Sequence, residues 1–252
     1  MHLHQVRRET AAGIRMSFQD QREIRIIQSS GCLVVALLFF SLCLMPIIFV
    51  DMLSTALQNL HLSPTGAALV VLGLLFGSLV NLPLYKIQRT FEIRSQPVNP
   101  WGGMPGPESS RWDTVVAVNV GGCLIPLLLA AWLIPLVASQ PGLYTTLFLG
   151  IGINIFACYR FTRLVPGLGI VLPTFLSPLI SLLSVWVGIP GAEYQAYQPA
   201  VAYLIGISGP LIGADLLHWK DFERLATGVI SIGGAGTWDG IVLSGLLAAF
   251  LA

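Results

Sequence analysis

Long apolar runs alternate with short polar segments along most of this chain. A window of roughly 20 apolar residues is long enough to cross about 30 Å of hydrocarbon as a helix. Seven such windows occur, near residues 31–50, 66–85, 115–136, 142–158, 168–187, 198–218 and 226–251. The pattern predicts an all-α fold, namely a polytopic integral membrane helix bundle with about seven transmembrane helices.

The composition strengthens this prediction. The chain is 55% hydrophobic and 10% charged, whereas ordinary soluble domains are about 25% charged. No charged side chain occurs in residues 114–159, 164–192 or 194–214. We therefore expect a multi-pass protein of the cell inner (plasma) membrane, with membrane lipids as partners. Nucleic acid is not an expected partner, because the net charge is only +1 and the basic residues are accounted for by topology.

Basic residues are unevenly distributed among the segments that join the predicted spans. The N-terminal tail carries five, residues 86–113 four, and residues 159–167 and 219–225 two each. Residues 51–65, 139–141 and 188–197 and the C-terminus carry none. Because Lys and Arg in short loops remain in the cytoplasm, this alternation predicts a cytoplasmic N-terminus and an external C-terminus.

The predicted organisation has two parts. Residues 1–30 form a cytoplasmic N-terminal tail, and residues 31–252 form a transmembrane helical domain with a Pro/Gly-rich cytoplasmic loop at 86–113. Within that loop, residues 95–110 are dense in Pro and Gly and have no apolar period. We expect this loop to lack a packed core.

Two aspartates, Asp215 and Asp239, lie inside the last two apolar windows. A carboxylate at a membrane helix centre costs about 2.5–3.5 kcal/mol on insertion scales, so intramembrane aspartates are commonly functional. They lie at similar depth if the last span begins near Gly236, and out of register if it begins near Ala226. The run at 233–236, Gly-Gly-Ala-Gly, is where we predict a broken helix. Both depths remain open from the sequence.

Other polar and small residues gather near the predicted cytoplasmic ends of the spans. They predict a cytoplasm-facing cavity around the two aspartates, because polar groups in lipid face the bundle interior or water. The candidate substrate-binding residues are Asn81, Asn119, Asn154, Gly234 and Gly236. The alternative is that each asparagine only joins helices by hydrogen bonds. Such a bond stabilises the helix bundle by about 0.6 kcal/mol per asparagine.

Six short motifs resemble a known sequence pattern. They are Leu62-Ser-Pro64, Gly77-Ser-Leu-Val-Asn81-Leu-Pro83, Val118-Asn119-Val-Gly121-Gly122-Cys-Leu-Ile-Pro126, Val165-Pro-Gly-Leu-Gly169-Ile, Gly213-Ala-Asp215-Leu-Leu and Ile232-Gly-Gly-Ala-Gly-Thr-Trp-Asp239-Gly-Ile. The chain from about residue 31 to its end resembles an uncharacterised family of prokaryotic multi-pass membrane proteins, domain of unknown function 1614. The resemblance implies the membrane class and points to the same residues, with no activity to carry over.

A weaker resemblance is to intramembrane aspartyl proteases of the presenilin and signal-peptide-peptidase type. Those proteins carry one aspartate in an inward-running helix and a second in the next helix, after a Gly-x-Gly-Asp motif. Asp215 and Asp239 have this order, but Thr237 and Trp238 separate the glycines from Asp239. Ala214 replaces the expected Tyr, and no later helix could carry the Pro-Ala-Leu element of those proteases.

Three classes of function remain open. Asp215 and Asp239 could form an acid dyad that hydrolyses a membrane-protein substrate. They could instead bind a transported proton or cation, with His218 as a relay or metal ligand. In a noncatalytic scaffold or assembly factor they would be buried hydrogen-bond partners of the asparagines. No nucleotide loop, Ser-His-Asp order, Cys-His pair or zinc spacing occurs in the sequence, so neither a cofactor nor a metal is predicted.

Overall fold

The computed structural model of the chain describes residues 38–93, 108–165, 169–224 and 228–252. The α-helices of these ranges are α1 (Leu38–Asn59), α2 (Pro64–Gly77), α3 (Ile125–Ala138), α4 (Tyr144–Phe161), α5 (Leu176–Gly188), α6 (Gln198–Ser208) and α7 (Gly240–Leu251). The strands are β1 (Asn81–Ile93), β2 (Glu108–Asn119), β3 (Arg163–Val165), β4 (Gly169–Val171) and β5 (Val229–Ile232). The predicted tail at 1–30 lies outside the described residues.

The chain divides into two units, residues 1–51 and residues 52–252. Of the first unit, the structure describes the first part of α1, whose side chains are mostly exposed. The elements from α2 to α7 all belong to the second unit, which holds both aspartates.

Four helical segments of the described chain are long and apolar enough to cross a membrane: Leu38–Asn59, Val120–Ala138, Pro141–Phe161 and Ala192–Phe222. The apolar helices Pro64–Gly77, Leu176–Gly188 and Gly240–Leu251 are shorter. At 1.5 Å per residue, a helix like α7 is about 18 Å long, against about 30 Å of hydrocarbon. The described chain is therefore mostly helical and suited to a membrane, with helices of unequal length.

The all-α prediction is wrong in one respect, because strands occupy the ends of four predicted spans. The window at 66–85 runs into β1, and the window at 115–136 begins inside β2. The windows at 168–187 and 226–251 begin in β4 and β5. Apolar runs such as Val115–Val118 are rich in β-branched residues, which favour the extended backbone of a buried strand.

Three strands form one sheet in the order β1-β2-β5. β1 pairs antiparallel with β2, from Asn81 opposite Asn119 to Ile93 opposite Glu108. β5 pairs parallel with β2, from Val115 opposite Val229 to Val118 opposite Ile232. β3 and β4 form a separate antiparallel pair. The loop that was predicted to lack a packed core thus contributes most of a long hairpin, although residues 94–107 lie outside the described ranges.

A small hydrophobic cluster holds these strands together. It consists of buried Val116, Phe222 and Ile230, with Ile87, Leu164 and Ile170 packed against them. Its members come from the hairpin, the β3–β4 pair, the segment after α6, and β5. The three loops with basic residues in this part of the chain (86–113, 159–167 and 219–225) therefore meet at one end of the bundle.

The segments without basic residues meet at another place. His61 Nε2 lies 3.2 Å from the Ala196 carbonyl, Gln140 Nε2 donates to Tyr197 Oη at 3.1 Å, and Asn59 Nδ2 donates to the Ala249 carbonyl at 3.3 Å. These contacts join the turn after α1, the turn after α3, the segment before α6 and the C-terminal end of α7. The structure therefore sorts the connecting segments into the same two sets as their charge does.

Backbone segments are in direct contact where the sheet meets the helices. A π-helical turn, Val120–Leu124, leads from β2 into α3. A Cβ atom at Gly122 would overlap the carbonyl group of Gly233, and one at Gly121 would overlap the backbone of Leu74 and Ser78. Gly233 has φ +70°, a conformation that L side chains rarely adopt. The motif glycines are therefore required at 121, 122 and 233 by direct backbone contact.

Candidate functional site

Asp215 lies at the end of an irregular continuation of α6. After Ser208 the chain changes to a π-helical turn, Gly209–Asp215, and then to the 3₁₀ segment Leu216–Arg224. Pro210 lacks a backbone N–H and cannot complete the regular α-helical ladder. The widened turn that follows places Asp215 at the bundle end that carries the hydrophobic cluster, and such turns occur frequently at functional sites.

Asp239 is the N-cap of α7. Its Oδ1 accepts the Ile241 N–H at 2.9 Å, and its Oδ2 accepts the Ala235 N–H at 3.3 Å. The carboxylate therefore starts the helix and also holds the preceding turn. Our prediction of a broken helix at 233–236 is wrong, because these residues form a turn between β5 and the 3₁₀ turn Gly236–Trp238.

The two aspartates line the same two adjoining cavities, of about 360 Å³ and about 280 Å³. Both cavities are also lined by Ile170 and Ala235. Both aspartates therefore face one shared space. α7 begins at Gly240, which is closer to the late start at Gly236 than to the early start at Ala226.

The walls of the two cavities differ. The larger cavity is lined by β4 and by the whole of β5, together with Phe222, Gly233 and Gly234. The smaller cavity extends toward Thr174, Pro210, Trp238 and Ser244. The aspartates thus lie between a strand-lined side and a helix-lined side.

On the side that faces away from the sheet, the aspartates adjoin tightly packed helices. Every residue of α6 from 200 to 208 is buried, and so are most residues of α7. A Cβ at Gly206 would come within 2.7 Å of the Ser244 carbonyl oxygen, and Tyr203 donates to the Pro126 carbonyl at 3.0 Å. The cavities therefore lie at the sheet end of the bundle, with close-packed α6 and α7 separating them from the other end.

The structure gives Asn81 and Asn119 partners within the fold. Asn119 is fully buried, and its Nδ2 donates to the Ser78 carbonyl at 2.8 Å and to Asn81 Oδ1 at 3.1 Å. Its Oδ1 accepts the Gly122 N–H at 2.7 Å and so caps the π turn. Ser231 Oγ donates to Asn81 Oδ1 at 2.6 Å. This network ties β5 to the base of the hairpin, and neither asparagine lines the two aspartate cavities.

Asn154 is also a structural link. It is fully buried, and its Nδ2 donates to Ser177 Oγ at 2.8 Å and to the Ile205 carbonyl at 2.6 Å. The side chain joins α4, α5 and α6 away from the two cavities. Of the two candidate glycines, Gly234 lines the larger cavity, whereas Gly236 is buried against Ser78 with φ +62°. Of the five predicted residues, only Gly234 therefore lines a cavity beside the aspartates.

His218 lies close to Asp215 in sequence and has its own partners. Its Nδ1 lies 3.0 Å from the Ala214 carbonyl, and its ring stacks on Tyr159 with the ring centroids 4.8 Å apart. No group of three or more His, Cys, Asp or Glu side chains suited to a metal ion occurs among the residues that the structure describes.

β5 and Ile170 are the parts of the site that the sequence did not identify. β5 has the sequence Val-Ile-Ser-Ile and lines the larger cavity at every position. A short apolar run of this kind cannot be distinguished from the start of a helix by its periodicity. Its β-branched residues are the signal that the sequence offers, and they lie inside the apolar window at 226–251.

One family model covers the motifs that meet around this site. No curated protein and no solved structure matches the chain. The family model described as "Protein of unknown function (DUF1614)" matches residues 75–251, a range that contains both aspartates, the three asparagines and the motif glycines, and leaves out Leu62-Ser-Pro64. The chain therefore belongs to the DUF1614 family.

Proposed function

We propose that this chain is a multi-pass membrane hydrolase in which Asp215 and Asp239 form an acid dyad that cleaves peptide bonds of a membrane-protein substrate. The observation that carries the proposal is that both carboxylates line the same two adjoining cavities. Two carboxylates at one site share a proton and titrate as a pair, which is the arrangement that aspartic proteases use.

The shared proton determines the chemistry. The ionised carboxylate takes a proton from a water molecule, whose oxygen adds to the scissile carbonyl carbon, while the protonated carboxyl donates to the carbonyl oxygen. The C–N bond then breaks. The newly protonated carboxyl gives its proton to the departing amine nitrogen, and the other carboxylate takes a proton from a hydroxyl of the tetrahedral intermediate, which restores the shared proton. Asp239 accepts two backbone N–H groups, so it is suited to carry the shared negative charge.

The proposed topology has seven spans, with the N-terminus in the cytoplasm and the C-terminus outside the inner (plasma) membrane. The charge alternation supports it. The grouping of connecting segments supports it as well, because the loops with basic residues share the hydrophobic cluster and those without them are joined by hydrogen bonds. In this topology both cavities open toward the cytoplasm, which supplies the water.

A reporter tests this topology directly. Alkaline phosphatase fused after Ala252 should be active, because it folds only outside the cytoplasm, and green fluorescent protein fused there should stay dark. Fusions placed after Lys220 should give the reverse result. A fluorescent fusion after Ala252 would mean an even number of spans and would contradict the proposed topology.

The hydrolase proposal is tested with purified protein in proteoliposomes and a fluorogenic single-span substrate. Wild type should release the fluorophore, and Asp215→Asn should reduce the rate by about 10³-fold or more, because an amide keeps the volume but cannot exchange the proton. Asp51→Asn is a matched control, since it makes the same change at an exposed aspartate outside the cavities. Equal rates for wild type and Asp215→Asn would contradict the acid dyad.

A proton- or cation-coupled transporter is the second candidate. The specific observation in its favour is that α6 gives way to π and 3₁₀ turns at Asp215, since interrupted helices commonly form ion sites in transporters. The close packing of α6 against α7 favours access from one side only. Proton flux that depends on Asp215, without proteolysis of any substrate by wild type, would identify the transporter. A noncatalytic scaffold would show neither activity, and its aspartate variants would only lose stability or partner binding.

A further inference from the structure

We propose that the groove between α3, α4 and α6 binds one anionic phospholipid, with the lipid phosphate at Arg160 and Lys220 and an acyl chain along the groove. The proposal is carried by an apolar cavity, by cations at one end of two of its walls, and by the contacts that bring those walls together. It does not depend on the hydrolase proposal, because neither aspartate lines this groove.

An apolar cavity of about 570 Å³ lies between the three helices. Its lining extends from Ala138 and Tyr144, on either side of the turn between α3 and α4, to Leu127 and Ile212 at the opposite end. Phe148, which also lines it, is 67% exposed. The cavity is therefore an elongated groove that opens at the surface of the bundle.

The lining offers almost nothing for water to bind. Tyr144 and Ser208 are its only side chains with a polar group. Their hydroxyls donate to the Ala138 carbonyl and to the Ile205 carbonyl, both at 2.7 Å. A water molecule in a cavity needs two to four polar partners, so an apolar cavity stays dry. An acyl chain suits this groove, because it fills space through dispersion contacts and requires no hydrogen bond.

Two walls of the groove lead to basic residues at the same end of the bundle. α4 lines the groove as far as Ile151 and carries Arg160 in its last turn. Arg160 lies about 13 Å beyond Ile151 along the helix axis, at 1.5 Å per residue. The chain that leaves α6 lines the groove at Ile212 and continues to Lys220. Both walls thus carry a cation beyond the groove, at the bundle end with the hydrophobic cluster.

The segments that carry the cations are joined at two points. The Tyr159 ring stacks on the His218 ring, with the centroids 4.8 Å apart. Further along the chain, Leu164 packs against the hydrophobic cluster that contains Phe222. The end of α4 and the segment after Asp215 therefore lie side by side, so that one phosphate can contact cations of both.

These segments present a positively charged surface. Arg160, Arg163 and Lys220 are exposed, and within the described ranges none of them has an ion-pair or hydrogen-bond partner. The adjoining carboxylate, Asp221, is half-buried. Trp219 is 55% exposed, and its ring is of the kind that lies at the level of lipid headgroups. Basic sites between membrane helices bind the headgroups of anionic lipids, which supply both the phosphate and the chain.

Native mass spectrometry of the purified full-length protein in detergent tests the site. The probes are dioleoylphosphatidylglycerol and dioleoylphosphatidylcholine, which have the same acyl chains and differ in net charge. Wild type should bind one phosphatidylglycerol about tenfold more tightly than one phosphatidylcholine, because the cations attract the anionic lipid.

Arg160→Gln should weaken the binding of phosphatidylglycerol about fivefold and change that of phosphatidylcholine less than about twofold. Lys86→Gln is the matched control, because it removes a cation from the same end of the bundle. Ile87 packs against the hydrophobic cluster, so the neighbouring Lys86 lies on the other face of β1. This control should change the binding of either lipid less than about twofold.

Ala138→Leu tests the groove separately from the cations. Ala138 is exposed and lines the end of the groove that is distant from Arg160, so a leucine there enters the groove without straining the fold. It should weaken the binding of both lipids about threefold or more, because the acyl chain loses part of its contacts. The unfolding temperature of the lipid-free protein should stay at the wild-type value.

Three outcomes would overturn the lipid site. Equal effects of Arg160→Gln and Lys86→Gln would mean that the preference is a general property of a basic surface. Unchanged lipid binding in Ala138→Leu would mean that the chain does not occupy the groove. Displacement of phosphatidylglycerol by an equal concentration of glycerol 3-phosphate would indicate a phosphate site without an acyl chain. None of these results bears on hydrolysis, which is measured with the aspartate variants.

Discussion

Gly122→Ala should leave the protein unable to reach its folded state at the growth temperature. The added methyl group would overlap the carbonyl of Gly233, and both groups belong to backbone, so no side-chain rotation can relieve the contact. Overpacking of an ordinary core costs about 1–3 kcal/mol. A clash between two backbones fixed in a sheet and a π turn should exceed about 3 kcal/mol, a large part of the stability of a typical domain.

Thermal unfolding of the purified protein is measured in detergent. The readout is the fluorescence of a maleimide dye that reacts with the buried thiols when unfolding exposes them. Gly152→Ala is the matched control, because a Cβ at this helical glycine meets nothing within 4 Å. It should leave the unfolding temperature unchanged or raise it, since alanine is the better helix former by about 1 kcal/mol. A Gly122→Ala protein that unfolds at the wild-type temperature would show that the crossing of the two backbones is wrongly described.

Substitutions at Asp239 should separate its role in folding from its role in hydrolysis. Asn and Ser are good N-caps and can still accept the Ile241 N–H, so these variants should retain stability to within about 0.5 kcal/mol. Asp239→Ala removes the cap and should lose about 1 kcal/mol. All three should lose hydrolysis by about 10³-fold or more, because none has a carboxyl group that can take up and release the shared proton.

This series distinguishes a catalytic carboxylate from one that only caps α7. In a protein where Asp239 is only a cap, activity should follow stability, so that the Asn and Ser variants remain active and only the Ala variant is impaired. Unfolding temperature and initial cleavage rate, measured on the same preparations, decide between the two. Active Asp239→Ser would contradict the acid dyad without affecting the description of the fold.

The helices and the division of the connecting segments into two groups could be predicted from the sequence. Both depend on hydrophobicity and charge averaged over long stretches of chain. The strands could not be predicted. Val115 to Val118 and Val229 to Ile232 adjoin helical apolar runs, and a short buried strand has no polar period to mark it. The Pro/Gly-rich composition of 95–110 also gave no indication of the hairpin. Such a composition is typical of the connection between two strands and not of the strands themselves.

The aspartates were found from the sequence because a carboxylate in an apolar run is unusual whatever surrounds it. The asparagines were misplaced for a related reason. Their depth could be estimated, but depth does not specify a partner, and an amide can bind either a substrate or a neighbouring helix. Asn119 caps a π turn and Asn154 joins three helices, and both roles depend on contacts between residues distant in sequence.

The late start of α7 has a consequence for where water can reach. The helix is about 18 Å long, so in the proposed topology the residues before Gly240 occupy a depth at which most membrane proteins are still helical. Strand backbone at that depth must be bonded to a neighbouring strand or hydrated. Among the described residues, β5 pairs with a strand on one side only. In the proposed topology, water would therefore have to reach its other side, at the level of the carboxylates. In the proposed topology, the short length of α7 thus determines how far water would extend into the protein.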